Sequence, residues 1–89
     1  MPYYFYGTNY SETLRGTNYA DVIYGYGGHD WLFGYAGNDW LDSGSGDDYL
    51  DGGSGHDTLI GGTGYNDYWG GYGADRFVQR ARGSAGFSN

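Results

Sequence analysis

The chain has 89 residues with 20 glycines, 12 tyrosines, 3 tryptophans, no cysteine and a formal net charge of −7. At this length an ordinary core is thin, and without cysteine a disulfide scaffold is excluded, so a metal or a partner is the expected cross-link. Four basic residues against eleven acidic ones make nucleic acid and anionic membrane surfaces poor partners and cations good ones. No apolar run approaches the ~20 residues of a membrane span, and the aromatic content argues against a disordered linker.

Residues 1–6, "MPYYFY", lack the basic and aliphatic regions of a cleaved secretory signal. They are predicted to form an N-terminal capping segment, an aromatic strand laid over the first coil. From Gly7 the chain divides without insertion or deletion into eight nine-residue units ending at Val78: GTNYSETLR, GTNYADVIY, GYGGHDWLF, GYAGNDWLD, SGSGDDYLD, GGSGHDTLI, GGTGYNDYW and GGYGADRFV. The glycine-rich part of a unit, such as Gly52–Asp57, suits a tight turn needing positive φ. The next three residues, Thr58, Leu59 and Ile60, alternate out, in and out as a minimal strand. The eighth position reads Leu14, Ile23, Leu32, Leu41, Leu50, Leu59, Tyr68 and Phe77, always apolar. The sixth reads Glu12, Asp21, Asp30, Asp39, Asp48, Asp57, Asn66 and Asp75, always oxygen-bearing. Strands this short cannot stand alone. Stacked at about 4.8 Å they pair with the strand one coil away, and the eighth-position side chains become an inward ladder. Residues 79–89, "QRARGSAGFSN", are expected to be a C-terminal cap or tail, with Arg76, Arg80 and Arg82 near the last carboxylates.

The repeat G-G-x-G-x-D-x-U-x, held over residues 7–78, resembles the RTX (repeats-in-toxin) or hemolysin-type calcium-binding β-roll of type-I-secreted bacterial proteases, lipases, epimerases and toxins. Its last unit, "GGYGADRFV", is similar to the segment that closes such arrays. The resemblance implies an all-β, right-handed parallel β-roll of about four coils and two short parallel sheets. It further implies two units per coil, so that sixth-position partners lie eighteen residues apart, and an extracellular module exported by type I secretion.

Rows of carboxylates a few ångströms apart do not stay ionised without a counter-charge. An all-oxygen shell of carboxylates and backbone carbonyls is the preference of calcium, not of zinc or magnesium. One edge of the roll carries Asp21, Asp39, Asp57 and Asp75, three gaps with a carboxylate on each side. The other carries Glu12, Asp30, Asp48 and Asn66, one complete gap and two compromised, since glutamate is a methylene too long and Asn66 brings an oxygen without charge. The resemblance adds carbonyl ligands, for the best sites those of Gly34, Gly37, Gly52, Gly53, Gly55, Gly70, Gly71 and Gly73. Tyr10 and Tyr19 replace the usual fourth-position glycine and weaken the first site of each column. Four ions are expected to be well held and up to six bound in all; four would carry the formal charge from −7 to +1. Folding is then expected to wait for calcium.

His29 and His56 fall on opposite edges and are read as solvated loop residues. Asp42, Asp47, Asp51 and Asp67 are read as a solvated face or an outer shell of charge. No catalytic constellation is present, so the chain is read as a binding module and not an enzyme. The outward positions hold Trp31, Phe33, Tyr49 and Trp69 on one sheet and Trp40 on the other. These rings either pack against one another across strands or form a contact face for a polysaccharide, a second copy or a larger parent protein.

Overall fold

Each unit contributes one strand because only its last three or four residues lack glycine and alternate in polarity. The computed structural model describes residues 3–79 and 85–88. The strands are β1 (Tyr3–Tyr6), β2 (Thr13–Arg15), β3 (Asp21–Tyr24), β4 (Trp31–Phe33), β5 (Trp40–Asp42), β6 (Tyr49–Asp51), β7 (Thr58–Gly61), β8 (Asn66–Trp69), β9 (Arg76–Gln79) and β10 (Ala85–Ser88). They form two five-stranded sheets, ordered β1-β3-β5-β7-β9 and β10-β8-β6-β4-β2. Every pairing is parallel. The result is a β-solenoid of about four turns, in which Leu41 pairs with Leu59 and Leu32 with Leu50.

The register follows from the period: two nine-residue units bring the chain back to the same sheet, one strand further along. Turn backbones continue the ladder between coils, as in Gly34 N–H to Asp51 O at 2.8 Å and Gly52 N–H to Trp69 O at 2.8 Å. Inside, Ile23, Leu32, Leu41, Leu50 and Leu59 are wholly buried and Tyr68 nearly so, with Phe5, Leu14 and Phe77 packed at the ends. The shortest dimension, 16 Å, leaves room for one interior layer between sheets ~10 Å apart.

The aromatic N-terminal segment forms β1, an edge strand whose Phe5 pairs with Ile23. At the other end β10 adds a strand beside β8, with Phe87 opposite Tyr68, which the sequence of residues 79–89 did not specify. Arg80 and Arg82 lie outside the described residues.

Candidate metal centre

The sixth-position side chains enter a buried row because the residue stands between an exposed turn and an inward strand position. Asp21, Asp30, Asp39, Asp48, Asp57 and Asn66 are each no more than 3% exposed. Their backbones and side chains interlock along each edge. Asp21 N–H donates to Asp39 Oδ1 at 2.8 Å, Asp39 N–H to Asp57 Oδ1 at 2.8 Å and Asp57 N–H to Asp75 Oδ1 at 2.9 Å. On the other edge Glu12 N–H donates to Asp30 Oδ1 at 3.1 Å, Asp30 N–H to Asp48 Oδ1 at 2.7 Å and Asp48 N–H to Asn66 Oδ1 at 3.0 Å. The two columns expected from the spacing are thus both assembled.

In Asp30, Asp39, Asp48, Asp57 and Asp75 one carboxylate oxygen is engaged by this ladder, and the other is the notable one. Oδ2 of Asp30, Asp39, Asp48, Asp57 and Asp75 is buried without a hydrogen-bond partner. An unpaired buried acceptor costs about 1–3 kcal/mol, more when charged, so five in two rows require a donor or a cation. A cation is the better match, because carbonyl oxygens share the space. A Cβ built on Gly34 would meet Asp39 Oδ2 at 2.5 Å and the Gly52 carbonyl at 2.9 Å, and one on Gly25 would meet Asp30 Oδ2 at 2.7 Å and the Ser43 carbonyl at 2.9 Å. Glycine at the first position therefore leaves open a cradle lined by oxygen.

Other carbonyls stack along the turns. Those of Gly53 and Gly55 press on Gly71 and Gly73 of the next coil, and that of Gly37 presses on Gly55. Fourth-position residues Gly37, Gly55 and Gly73 have φ between 92° and 110°, a backbone that side chains resist. At the second position Tyr26 and Tyr35 hold φ of 67° and 66°, so here the turn imposes a left-handed backbone on tyrosine. Gly70, like Gly34 and Gly52, faces the Oδ2 of its own unit, that of Asp75, at 2.5 Å from a built Cβ.

Surrounded by protein alone, these carboxyls hold their protons more tightly than a free carboxyl does. Burial is the largest cause, with neighbouring carboxylates adding to it and the backbone N–H bonds opposing it. Together they push Asp30 and Asp48 up to about 6, Asp57 to about 7 and Asp39 to about 8. Among the described residues no three His, Cys, Asp or Glu side chains converge. A gap offers two carboxylates, so carbonyls must complete any coordination sphere, and the donor set is oxygen throughout.

A family model for the RTX calcium-binding nonapeptide repeat, in four copies, matches residues 6–41 and 33–68, together more than half of the chain. The chain belongs to that family. Neither the curated proteins nor the solved structures compared with it give a match. RTX repeats are structural, non-catalytic calcium-binding units that occur in secreted proteins, and the oxygen-only rows of this chain fit that metal.

Several residues of this RTX array act in ways the spacing did not disclose. His29 and His56 are exposed, as expected, and in addition use Nδ1 to accept the backbone N–H of Asp47 and Ala74, both at 2.9 Å. Asp47 in turn accepts Tyr65 N–H at 2.7 Å and Asn38 accepts His56 N–H at 2.8 Å, so fifth-position side chains form a second, outer ladder. Asp42 and Asp51 also cap turns, accepting Gly44 N–H at 3.2 Å and Gly53 N–H at 3.0 Å. Only residues able to accept a hydrogen bond at these positions would have signalled it.

Of the outward rings, Trp31, Trp40 and Trp69 are 58%, 40% and 44% exposed. Trp31, Phe33 and Tyr49 touch one another with centroids 6.0–6.5 Å apart. Arg15 lies 5.5 Å above the Phe33 ring and donates to Tyr35 Oη at 3.0 Å. A separate group, Tyr4, Tyr6, Tyr24 and Tyr26, stacks on the other sheet at 5.8–6.5 Å.

Proposed function

We propose that this chain is a calcium-triggered folding module, serving secretion-coupled folding and stabilisation of an extracellular protein exported by a type I route. The observation that carries it is the double row of buried, unpartnered Oδ2 atoms set eighteen residues apart beside backbone carbonyls. Asp30, Asp39, Asp48, Asp57 and Asp75 supply the charge, while Gly34, Gly52 and Gly70 give the room and, with Gly37, Gly53, Gly55, Gly71 and Gly73, the carbonyls. When bound, calcium neutralises facing carboxylates and cross-links successive turns. The protein's part is to hold the oxygens in register and to exclude water from them. No catalytic role is assigned. Far-UV circular dichroism under calcium titration, then chelator, tests this: β-structure should form with calcium and vanish on chelation. Spectra indifferent to both would refute it.

A second reading takes the aromatic sheet face as a contact surface. It is favoured by the exposure of Trp31 and Trp69 and by an open cleft of about 430 Å³ lined by Asp51, Ser54, Trp69 and Tyr72. A flat ring beside a carboxylate and a hydroxyl suits a neutral sugar. Binding to a glycan array that disappears in Trp31→Ala and Trp69→Ala, with calcium-dependent folding intact, supports this reading; no glycan binding by the folded chain removes it.

A further inference from the structure

In three of the eight turns no oxygen of the sixth-position side chain is left unpaired. In the second unit Thr17 N–H donates to Asp21 Oδ2 at 2.7 Å and Thr17 Oγ1 donates to Asp21 Oδ1 at 2.8 Å. The first unit repeats this with Thr8 and Glu12, whose Oε1 accepts the Thr8 N–H and whose Oε2 accepts the Thr8 hydroxyl at 3.4 Å. Neither oxygen of Asp21 is thus left unpaired, although the residue is only 1% exposed.

The seventh unit does it differently. Asn66 Oδ1 accepts the Asp48 N–H at 3.0 Å, which fixes the orientation of the amide and turns Nδ2 the other way. A Cβ built on Gly61 would meet that Nδ2 at 2.6 Å, the place where the equivalent glycines Gly34 and Gly52 meet an aspartate Oδ2 at 2.5 Å and 2.6 Å. A donor group therefore faces the cradle in place of an acceptor. Tyr68, at the position where five other units have leucine, brings its hydroxyl into the same space and donates to Val78 O at 3.4 Å. The amide N–H points where an aspartate would bring an acceptor, and the phenol fills the room beside Gly61 that a cation would need.

Resting on the calcium reading above, we propose that Thr8, Thr17 and the Asn66–Tyr68 pair set how many ions the chain takes, by closing their turns without metal. Calcium is then confined to the gaps flanked on both sides by an unpaired Oδ2: Asp30–Asp48, Asp39–Asp57 and Asp57–Asp75. The Asp21–Asp39 gap, complete by residue type, is removed from the set, and Asn66 loses the ligand role that its position suggested. The array becomes a metal-held run of turns after a threonine-closed start, interrupted by one tyrosine-closed turn.

Equilibrium dialysis of the full chain with labelled calcium at saturation, with circular dichroism on the same samples, tests this. The parent chain should bind three ions and Asn66→Asp/Tyr68→Leu should bind one more, residue 66 having gained a carboxylate oxygen and the cradle beside Gly61 having lost its plug. Tyr68→Phe, which keeps the core ring and removes the hydroxyl, should still bind the parent number. A double variant that folds with calcium yet shows an unchanged count overturns the inference, as does a lowered count in Tyr68→Phe, which also decides the matter if the double variant does not fold. A parent chain that binds no calcium overturns the calcium reading itself.

Discussion

Asp57 has a carboxylate on either side of it in its column and thus serves two gaps. Its Oδ1 accepts Asp39 N–H at 2.8 Å and its Oδ2 is buried and unpaired. Asp57→Ala removes a charge from two gaps and leaves a buried N–H without an acceptor, a loss of about 1–3 kcal/mol before any metal is counted. The calcium concentration at the folding midpoint should rise at least about tenfold, the equivalent of ~1.4 kcal/mol. A dichroism titration reads this directly, and an unmoved midpoint would remove the column from the mechanism. The same carboxyls set a pH dependence. Asp39, Asp48, Asp57 and Asp30 have pKa values raised from 3.8 to between about 6 and about 8, so the coil binds their protons more tightly than the open chain does. Their ionisation opposes folding fully above about 8, less as pH falls through 8 to 6, and not at all below 3.8. With chelator present, more β-structure should therefore be measured at mildly acidic than at alkaline pH. Calcium affinity should fall over that same window, because protons and the metal compete for one oxygen.

Strands and turns depend on one another because most strands bury a single apolar residue of their unit, β7 alone among the described strands adding a second, Ile60, which was expected to point outward. Leu41 is wholly buried in a central strand, whereas Leu14 is only partly buried in the edge strand β2. Leu41→Ala should cost about 2–5 kcal/mol and Leu14→Ala less, and thermal unfolding in saturating calcium should rank them in that order. Equal losses would mean that the inner ladder does not hold the sheets. This ladder was readable in the sequence because apolar residues recur at Leu32, Leu41, Leu50 and Leu59 with nothing inserted between. The acidic columns were readable for the same reason. What Thr17 does was not, since a threonine at the second position differs from glycine only in composition until its N–H and hydroxyl are seen on Asp21. The orientation of the Asn66 amide is likewise set by the Asp48 N–H one coil away, which a linear pattern does not contain. Strand β10 lay beyond the periodic residues, and "AGFS" carries no unit signature; it is placed by the open edge of β8.

The whole chain, at −7, repels itself most where it is most regular, along the two acidic rows. Each dication offsets two of those charges at the gap where they oppose folding, so binding free energy enters directly as folding free energy. Because a coil contacts only its neighbours, an ion in one gap orders the strands flanking the next and eases binding there. The titration should consequently be steeper than a single-site curve. Identity of the ion matters as much as its charge. The cradles combine carboxylate with backbone carbonyl in a geometry imposed by the stacking distance, and calcium accepts six to eight such oxygens at ~2.3–2.6 Å. Magnesium demands a tight octahedron at ~2.0–2.1 Å and keeps its waters, for which a cradle sized by the missing Cβ of Gly34 or Gly52 leaves little room. At equal concentration magnesium should leave the dichroism of the chelated chain unchanged while calcium converts it to β-structure. Equal folding by both ions would mean that general charge screening, and not coordination within the rows, assembles the coil.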